Sequence, residues 1–579
     1  MPASGYSPAN LWDKIIAPYL DKYCLLVCVF MVAVACARII STYSELSLTT
    51  DEPFHFACAI EYLGKHSFVQ DLENPPVARA AQALGPYLLL GARPVERSDA
   101  WQEAVAIIAL SGNYHRTVFL LRLGTLPFFL LACVVVGCWS GRAFGKPVAV
   151  IAVGLFTLLP TTLADAGLHT TDMALGASVG AAFLATILWA EKPTWLRALL
   201  LGACTALAVL SKFSALGYVP LAAVLALACY WFVRRPGWQE LRQLTRQHAG
   251  TFLLAAATTM LLVWAAYLFS FGAVRLVHDK IFILPAPEFF AGLRVVREHV
   301  RRGHSAFLLG ETGRYGWWYY YPIALLVKLP IAFLIMSAMG VYVCLRERAR
   351  PAYLLPLAFC VAILLPAMTG PIDIGLRHIE PIYVGLSIIA ALGLVQLLQA
   401  IRTNLIAGLT AAALVAWMIV SVAVHHPDYL AYFNGFAGRH PENVLVDSNY
   451  DWGQELISLS RRLHQLEVKK FSLACMEGVQ NYQYMQAWYG LPQIRGVDPR
   501  VPSPGWNVIC PTVDKALRSE TLNGVTGVVP WYDQMAPTER LGPLSLYYIP
   551  PRNPTGSSPE SGSSNTPFKS WAPSASESH

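Results

Sequence analysis

The chain has 579 residues, 55% of them hydrophobic and only 14% charged, with a mean hydropathy of +0.45. A soluble domain carries about a quarter charged residues, so an ordinary soluble globular protein is excluded. The net charge of +7 is small for this length and is spread among loops. It forms no basic stripe, which excludes nucleic acid as a partner.

The apolar residues gather into blocks long enough to cross a roughly 30 Å hydrocarbon core. In chain order the candidate spans are 24–41, 117–139, 147–163, 172–190, 196–211, 215–233, 251–270, 317–343, 352–369, 380–400 and 404–424. The first contains Ala35-Cys36-Ala37, which fits a small-residue cleavage pattern. The 23 residues ahead of it are long for a signal n-region and include Asp13 and Asp21, so an uncleaved anchor is favoured. The expectation is an all-α polytopic membrane protein of about 11 transmembrane helices, followed by a small α/β domain.

Lys and Arg in the short loops set the orientation. With residues 1–23 inside, every inner segment is basic: Lys14 and Lys22; Arg142 and Lys146; Lys192 and Arg197; Arg234, Arg235, Arg242 and Arg246; Arg346, Arg348 and Arg350; and Arg402. Three longer segments then face outward: 42–116, 271–316, and everything after residue 424. Loop 271–316 breaks the pattern with Arg275, Lys280, Arg294, Arg297, Arg301, Arg302 and Arg314, and so needs a functional reason.

In the C-terminal region 425–550 the segments 443–446, 471–475, 506–510 and 544–548 read as short strands. Gln454 to Leu466 reads as a helix with Leu456, Leu459, Leu463 and Leu466 on one face. Asp447, Asn449 and Asp451 have calcium-like spacing, but the glycine falls one position late at Gly453, which reads as a turn. From 551 to 579 the Pro/Ser/Gly-rich tail has too few apolar residues to fold. Most cysteines lie in or beside apolar segments as small core residues. Cys475 and Cys510 lie in the polar part and can form a disulfide if that part is extracytoplasmic. There is no C-x-x-C pair to suggest structural zinc.

Ionisable residues are few in the apolar blocks, and those present fall at predicted outer ends: Asp172, Lys212, Lys328, Arg377 and His378. Charge near a membrane marks a functional candidate. The plainer alternatives are snorkelling for the two lysines and an N-cap role for Asp172. The first outer loop opens with Asp51-Glu52-Pro53-Phe54-His55, runs as a helix to Leu63, and continues to Asp71-Leu72-Glu73-Asn74-Pro75-Pro76-Val77-Ala78-Arg79. Carboxylates beside a lipid surface, facing basic outer loops, suit one reaction. A carboxylate deprotonates an acceptor hydroxyl, and Arg or Lys stabilises charge on a departing phosphate. No P-loop and no dinucleotide-binding glycine motif is present.

At these residues the sequence resembles the protein O-mannosyltransferase superfamily, glycosyltransferase family 39 and its relative family 83, with the C-type membrane fold. The resemblance spans residues 24 to about 550. It rests on Thr50-Asp51-Glu52, Glu73-Asn74-Pro75-Pro76, Arg122, Thr171-Asp172, Ser211-Lys212-Phe213 and Trp264-Ala265-Ala266-Tyr267. Further on it rests on Tyr315 to Pro322 with Lys328, Gly375-Leu376-Arg377-His378, and Asp447 to Gln454. It implies Asp51 as catalytic base, with Glu52 assisting or orienting the first loop. Arg122, Lys212, Lys328 and Arg377 would hold the donor phosphate. His55, Glu73, Asn74, Arg79, Asp172, Arg314 and His378 would line the pocket. The implied activity is transfer of a hexose or pentose, mannose among them, from a polyprenyl-phosphate carrier to a glycan, lipid or protein hydroxyl, with inversion.

No cofactor is expected. Some relatives that modify lipid A bind a metal through a glutamate at the position of Glu73 and a histidine of the later loop, here His304 or His299. The C-terminal region lacks the β-trefoil repeats of the eukaryotic protein mannosyltransferases, which points to a bacterial inner membrane and leaves the acceptor open. The alternative reading is a transporter or flippase for a lipid-linked sugar. It would call for internal repeats and charges at the bilayer midplane, neither of which the sequence offers.

Overall fold

The computed structural model describes residues 12, 16–275, 281–401, 404–475, 482–496, 498–522 and 530–551. The tail expected to be disordered beyond 551, and Lys14, Lys280 and Arg402 of the charge pattern, lie outside the described residues. Among the described residues eight helices are long and apolar enough to cross a membrane, and two bent pairs raise the number to ten. They are Cys24–Thr42, Tyr114–Phe144, Asp172–Glu191, Ala215–Arg234, Trp238–Ala266, Pro351–Thr369, Ile382–Ala400 and Leu405–Val424. The chain is a mostly helical, polytopic membrane protein.

Three of the expected spans take a different form. Segment 317–343 divides into Tyr320–Lys328 and Ile331–Arg346, which meet at 119°. Pro330 sits at the break, where its missing N–H and its ring end the first helix. Segment 147–163 divides into Lys146–Phe156 and Pro160–Ala166, bent by 70°, again with a proline starting the second piece. Segment 196–211 is the shorter helix Trp195–Ser211, which ends where Lys212 turns extended.

Asp172–Glu191 and Ile382–Ala400 run through the centre of the bundle, whereas Cys24–Thr42 and Trp238–Ala266 lie at its rim. Leu25, Phe30, Leu253 and Met260 on the rim helices are exposed, as side chains meeting lipid tails are. Apolar burial drives no association between helices in lipid, so close packing needs small residues. Gly340 lies against the backbone of Ile389, and Gly393 against that of Met336, so Ile331–Arg346 and Ile382–Ala400 approach backbone to backbone.

The first loop forms helices Asp51–Lys65, Pro76–Gln82, Leu84–Leu89 and Ala100–Leu110. Loop 271–316 forms the hairpin β1 (Phe271–Arg275) and β2 (Ile281–Pro285), the helix Pro287–Arg302, and the hairpin β3 (Ala306–Leu308) and β4 (Glu311–Gly313). The C-terminal region holds β5 (Lys470–Ala474), β6 (Gln493–Gly496), β7 (Gly505–Ile509), β8 (Glu539–Leu541) and β9 (Leu544–Ile549). They form one mixed sheet in the order β6-β5-β7-β9-β8, parallel around β5 and antiparallel around β9.

The strand expected at 443–446 is absent. Pro441–Asn443 forms a single 3-10 turn, and Val444 uses its carbonyl to accept the N–H of Leu309 from the β3–β4 hairpin. Cys475 and Cys510 are bonded, with their Cα atoms 5.0 Å apart. Phe56, Ile60 and Ile107 of the first loop share one apolar core with Leu459, Leu463, Phe471 and Leu546. The first loop and the C-terminal sheet therefore stabilise each other.

Candidate active site

Asp51 and Glu52 are neighbours in sequence but point into different environments. Asp51 opens the helix Asp51–Lys65, where the helix dipole favours a negative charge. Its side chain is 33% exposed. Glu52 is fully enclosed: it pairs with Arg122 in a two-pronged contact, Nε and Nη2 each 2.8 Å from a carboxylate oxygen. It also accepts the N–H groups of Thr49 at 2.8 Å and His169 at 2.9 Å. Arg122 gives two further donors to the carbonyls of Leu46 and Ser47, at 2.9 and 2.7 Å.

Of the two roles offered for Glu52, the enclosed carboxylate fits that of orienting the first loop. Arg122 is a correction: it is fully enclosed with four of its five N–H donors committed, which closes it off from a phosphate. Together they lock the entry to the first loop, so that Asp51 emerges in one place. The segment Asp447–Gln454 braces the same entry from the other side. Ser47 and Thr50 donate their N–H groups to Gln454 and Trp452, each at 3.0 Å.

Asp51 heads a chain of alternating charges. Its Oδ2 accepts from Arg377 Nη1 at 2.7 Å. Arg377 lies 3.7 Å from Asp172, and Asp172 accepts from Lys212 Nζ at 2.6 Å. The guanidinium also stacks 4.2 Å from the ring centroid of Trp452. Burial works against the charge of Arg377, but Asp51, Asp172 and Asp447 outweigh it and hold its pKa above the ordinary value. Among the described residues, Nε of Arg377 and Nε2 of His378 are enclosed without a hydrogen-bond partner. Burial, and then Lys212 and Arg377, push His378 well below its usual pKa, so it is neutral.

Lys328 is a further correction. It is buried, donating to the carbonyls of Leu430 at 2.6 Å and Asn449 at 2.5 Å, with its ammonium 4.3 Å from the ring centroid of Phe433. It pins the bent helix pair to the C-terminal segment and does not reach the charge chain. Arg314 is exposed and donates to the carbonyl of Arg302 at 2.8 Å, which makes it a loop brace.

Arg79 is buried as well. It holds the turn before its own helix through Asp71 at 2.6 Å and the carbonyl of Asn74 at 2.9 Å. Asn74 itself donates to Asp71 at 3.1 Å. His55 is enclosed facing His169, with ring centroids 6.4 Å apart, and burial lowers its pKa to about 4. Glu73 meets His299, not His304: the Oε1 to Nδ1 distance is 2.5 Å, while the His304 ring lies 5.6 Å from that of His299. Carboxylate and imidazole are a donor set that suits zinc-like ions. Among the described residues no group of three or more such side chains is assembled.

Several acids of the site escaped the sequence reading. Asp165 and Glu380 are buried beside Asp172. Asp373 accepts the N–H of Trp317 at 2.6 Å, and burial raises its pKa to about 7. Asp447, read as a turn residue, does begin a 3-10 turn, but it is half-buried and its charge acts on Arg377. For Asp165 and Glu380 a signal existed, since both lie at the edges of apolar blocks, Asp165 just past 147–163 and Glu380 opening 380–400.

No known family's sequence model matches the chain, and no curated protein does. Among solved structures the chain is similar to ArnT from Cupriavidus metallidurans bound to undecaprenyl phosphate. The identity is 15% and the TM-score 0.48, over 90% of this chain and 97% of that one. It is also similar to the apo oligosaccharyltransferase of Archaeoglobus fulgidus, at 14% identity and TM-score 0.40, over 84% of this chain and 65% of that one. A further similar structure is AglB of the same organism with an inhibitory peptide and a dolichol-phosphate, at 14% identity and TM-score 0.41, over 83% and 61%.

Proposed function

We propose that the protein is an inverting glycosyltransferase of the bacterial inner membrane that moves a hexose or pentose from a polyprenyl-phosphate carrier to an extracytoplasmic acceptor hydroxyl. The observation that carries this reading is the chain Asp51–Arg377–Asp172–Lys212, set where membrane helices meet the first loop. A carboxylate one-third exposed and two cations suit the two demands of the reaction. Asp51 takes the proton of the acceptor hydroxyl through its free oxygen. The acceptor oxygen bonds to the anomeric carbon, and the bond from that carbon to the phosphate oxygen breaks with its electron pair on the phosphate. Arg377 and Lys212 stabilise that charge, and polyprenyl phosphate leaves. The disulfide between Cys475 and Cys510 supports an extracytoplasmic C-terminal region, since such bonds persist in oxidising compartments.

The test is transfer in proteoliposomes from radiolabelled undecaprenyl-phosphate hexoses and pentoses, comparing wild type with Asp51→Asn. Loss of a positioned base lowers the rate by about 10²–10⁴-fold in a normally folded variant. If the intact lipid-linked sugar crosses the bilayer uncleaved in both proteins, the molecule is a transporter and the reading fails.

A further inference from the structure

A second recess lies between the β3–β4 hairpin and the C-terminal sheet, with a volume of about 410 Å³. Phe307, Tyr532 and Tyr547 supply aromatic rings to its wall, and Glu442, Asp514 and Arg518 supply charge. The rings of Tyr532 and Tyr547 lie 5.7 Å apart, tilted by 36°. The cations around it are already committed. Lys515 lies 3.2 Å and Arg518 2.7 Å from Asp514, and Arg540 is 2.9 Å from Glu442.

An anionic ligand would have to displace these carboxylates, and a purely apolar one would strip water from the ion pairs without replacing it. A neutral ligand with apolar C–H faces and many hydroxyl groups meets both parts of the wall. Oε2 of Glu442 is enclosed and, among the described residues, lacks a hydrogen-bond partner. A buried acceptor of that kind calls for a donor, and a hydroxyl provides one.

The recess is linked to the charged site through Thr512. Pro511 lines it, and the next residue, Thr512, accepts the N–H of Asp447 at 3.0 Å and donates to the carbonyl of Asp451 at 3.1 Å. Asp447 is one of the acids facing Arg377. We infer that this recess is a saccharide-binding subsite holding a non-reacting sugar of the acceptor. Only the acceptor role rests on the transferase reading; the binding of a neutral sugar does not.

The experiment is saturation-transfer difference NMR on the full-length protein in lipid nanodiscs, with methyl hexopyranosides and methyl pentopyranosides at millimolar concentration. Wild type and Asp51→Asn are expected to bind at least one probe equally. Ser545→Trp, which fills the recess from β9, is expected to abolish the signal. Glu442→Gln, which keeps the shape, is expected to weaken binding about tenfold, as loss of a charged acceptor does. The inference is overturned if no probe binds wild type, if Asp51→Asn abolishes binding, or if a folded Glu442→Gln binds as wild type does. Should Ser545→Trp fail to fold, Glu442→Gln still decides. Binding that survives in a protein without transferase activity separates this inference from the proposed function.

Discussion

The substitution Arg122→Met separates a structural arginine from a phosphate-binding one. Arg122 and Glu52 are both fully enclosed, and the arginine makes four hydrogen bonds, two to Glu52 and one each to the carbonyls of Leu46 and Ser47. Methionine fills similar volume but leaves the Glu52 carboxylate buried with only the N–H groups of Thr49 and His169 and the Thr49 hydroxyl as partners. Breaking one side of a buried ion pair costs about 3–5 kcal/mol. At about 1.4 kcal/mol per factor of ten, that is roughly two to four powers of ten in the folding equilibrium. The assay is the fraction of monodisperse protein surviving a heating series in detergent, beside binding of a radiolabelled polyprenyl-phosphate sugar. The expected result is a large loss of heat resistance, with donor affinity per folded molecule retained when measured in the cold. A variant as heat-resistant as wild type that has lost donor affinity alone would refute this account and restore Arg122 to the phosphate.

Lys212→Gln removes one cation from the charge chain and leaves Asp172 with Arg377 at 3.7 Å. Transfer is expected to fall about 10²–10³-fold, as for loss of a charge-stabilising donor, and Lys212→Arg to recover part of it; full activity in the glutamine variant contradicts the assignment. Asp373 supplies a pH dependence. Its folded-state pKa is raised to about 7, so its contribution to stability is present at acid pH and lost as pH rises through 7. With Tyr320 and Tyr321 as its titratable neighbours and the Trp317 N–H on its carboxylate, the 370–377 loop should exchange amide hydrogens faster at pH 8 than at pH 5.5 after correction for intrinsic rates. Asp373→Asn should abolish that difference, and an equal pH dependence in both proteins would count against it. Cys510→Ser opens a disulfide spanning 35 residues and should destabilise the C-terminal region by about 4 kcal/mol on the loop-entropy relation. Thermal unfolding with and without reductant checks this: reductant should shift wild type and leave the variant unchanged.

Asp172, Lys212 and Arg377 could be singled out from sequence because each is an ionisable residue at the edge of an apolar block, where charge is costly, and Asp51 because it opens the acidic first outer loop. Their convergence is visible only in three dimensions. Lys328 carries the same edge-of-membrane signature, and Arg122 is named by the resemblance, yet both do other work. Arg122 finds its counter-ion 70 residues earlier in the chain. Lys328 finds its carbonyl partners 102 and 121 residues later. A sequence shows that a charge must be satisfied without showing by what. The break at Pro330 was legible as a Leu-Pro step, but the apolar run continues through it and hides the turn. The strand expected at 443–446 failed because a strand needs a neighbouring ladder, and that segment's carbonyl is taken by Leu309.

The contact between Gly340 and Gly393 reaches further than its place in the middle of the bundle suggests. Ile331–Arg346 begins just beyond Lys328, and Ile382–Ala400 begins just beyond Arg377. A single methyl group added at either glycine would meet backbone atoms of the facing helix and force the pair apart. Gly393 lies eleven residues beyond the start of Ile382–Ala400, roughly 16 Å along the helix. Held backbone to backbone, the two helices leave no room for a wedge, and spreading them would shift the segment that leads back to Arg377. Substitution along this seam is limited by that close approach, whereas the exposed faces of the rim helices Cys24–Thr42 and Trp238–Ala266 have room to vary.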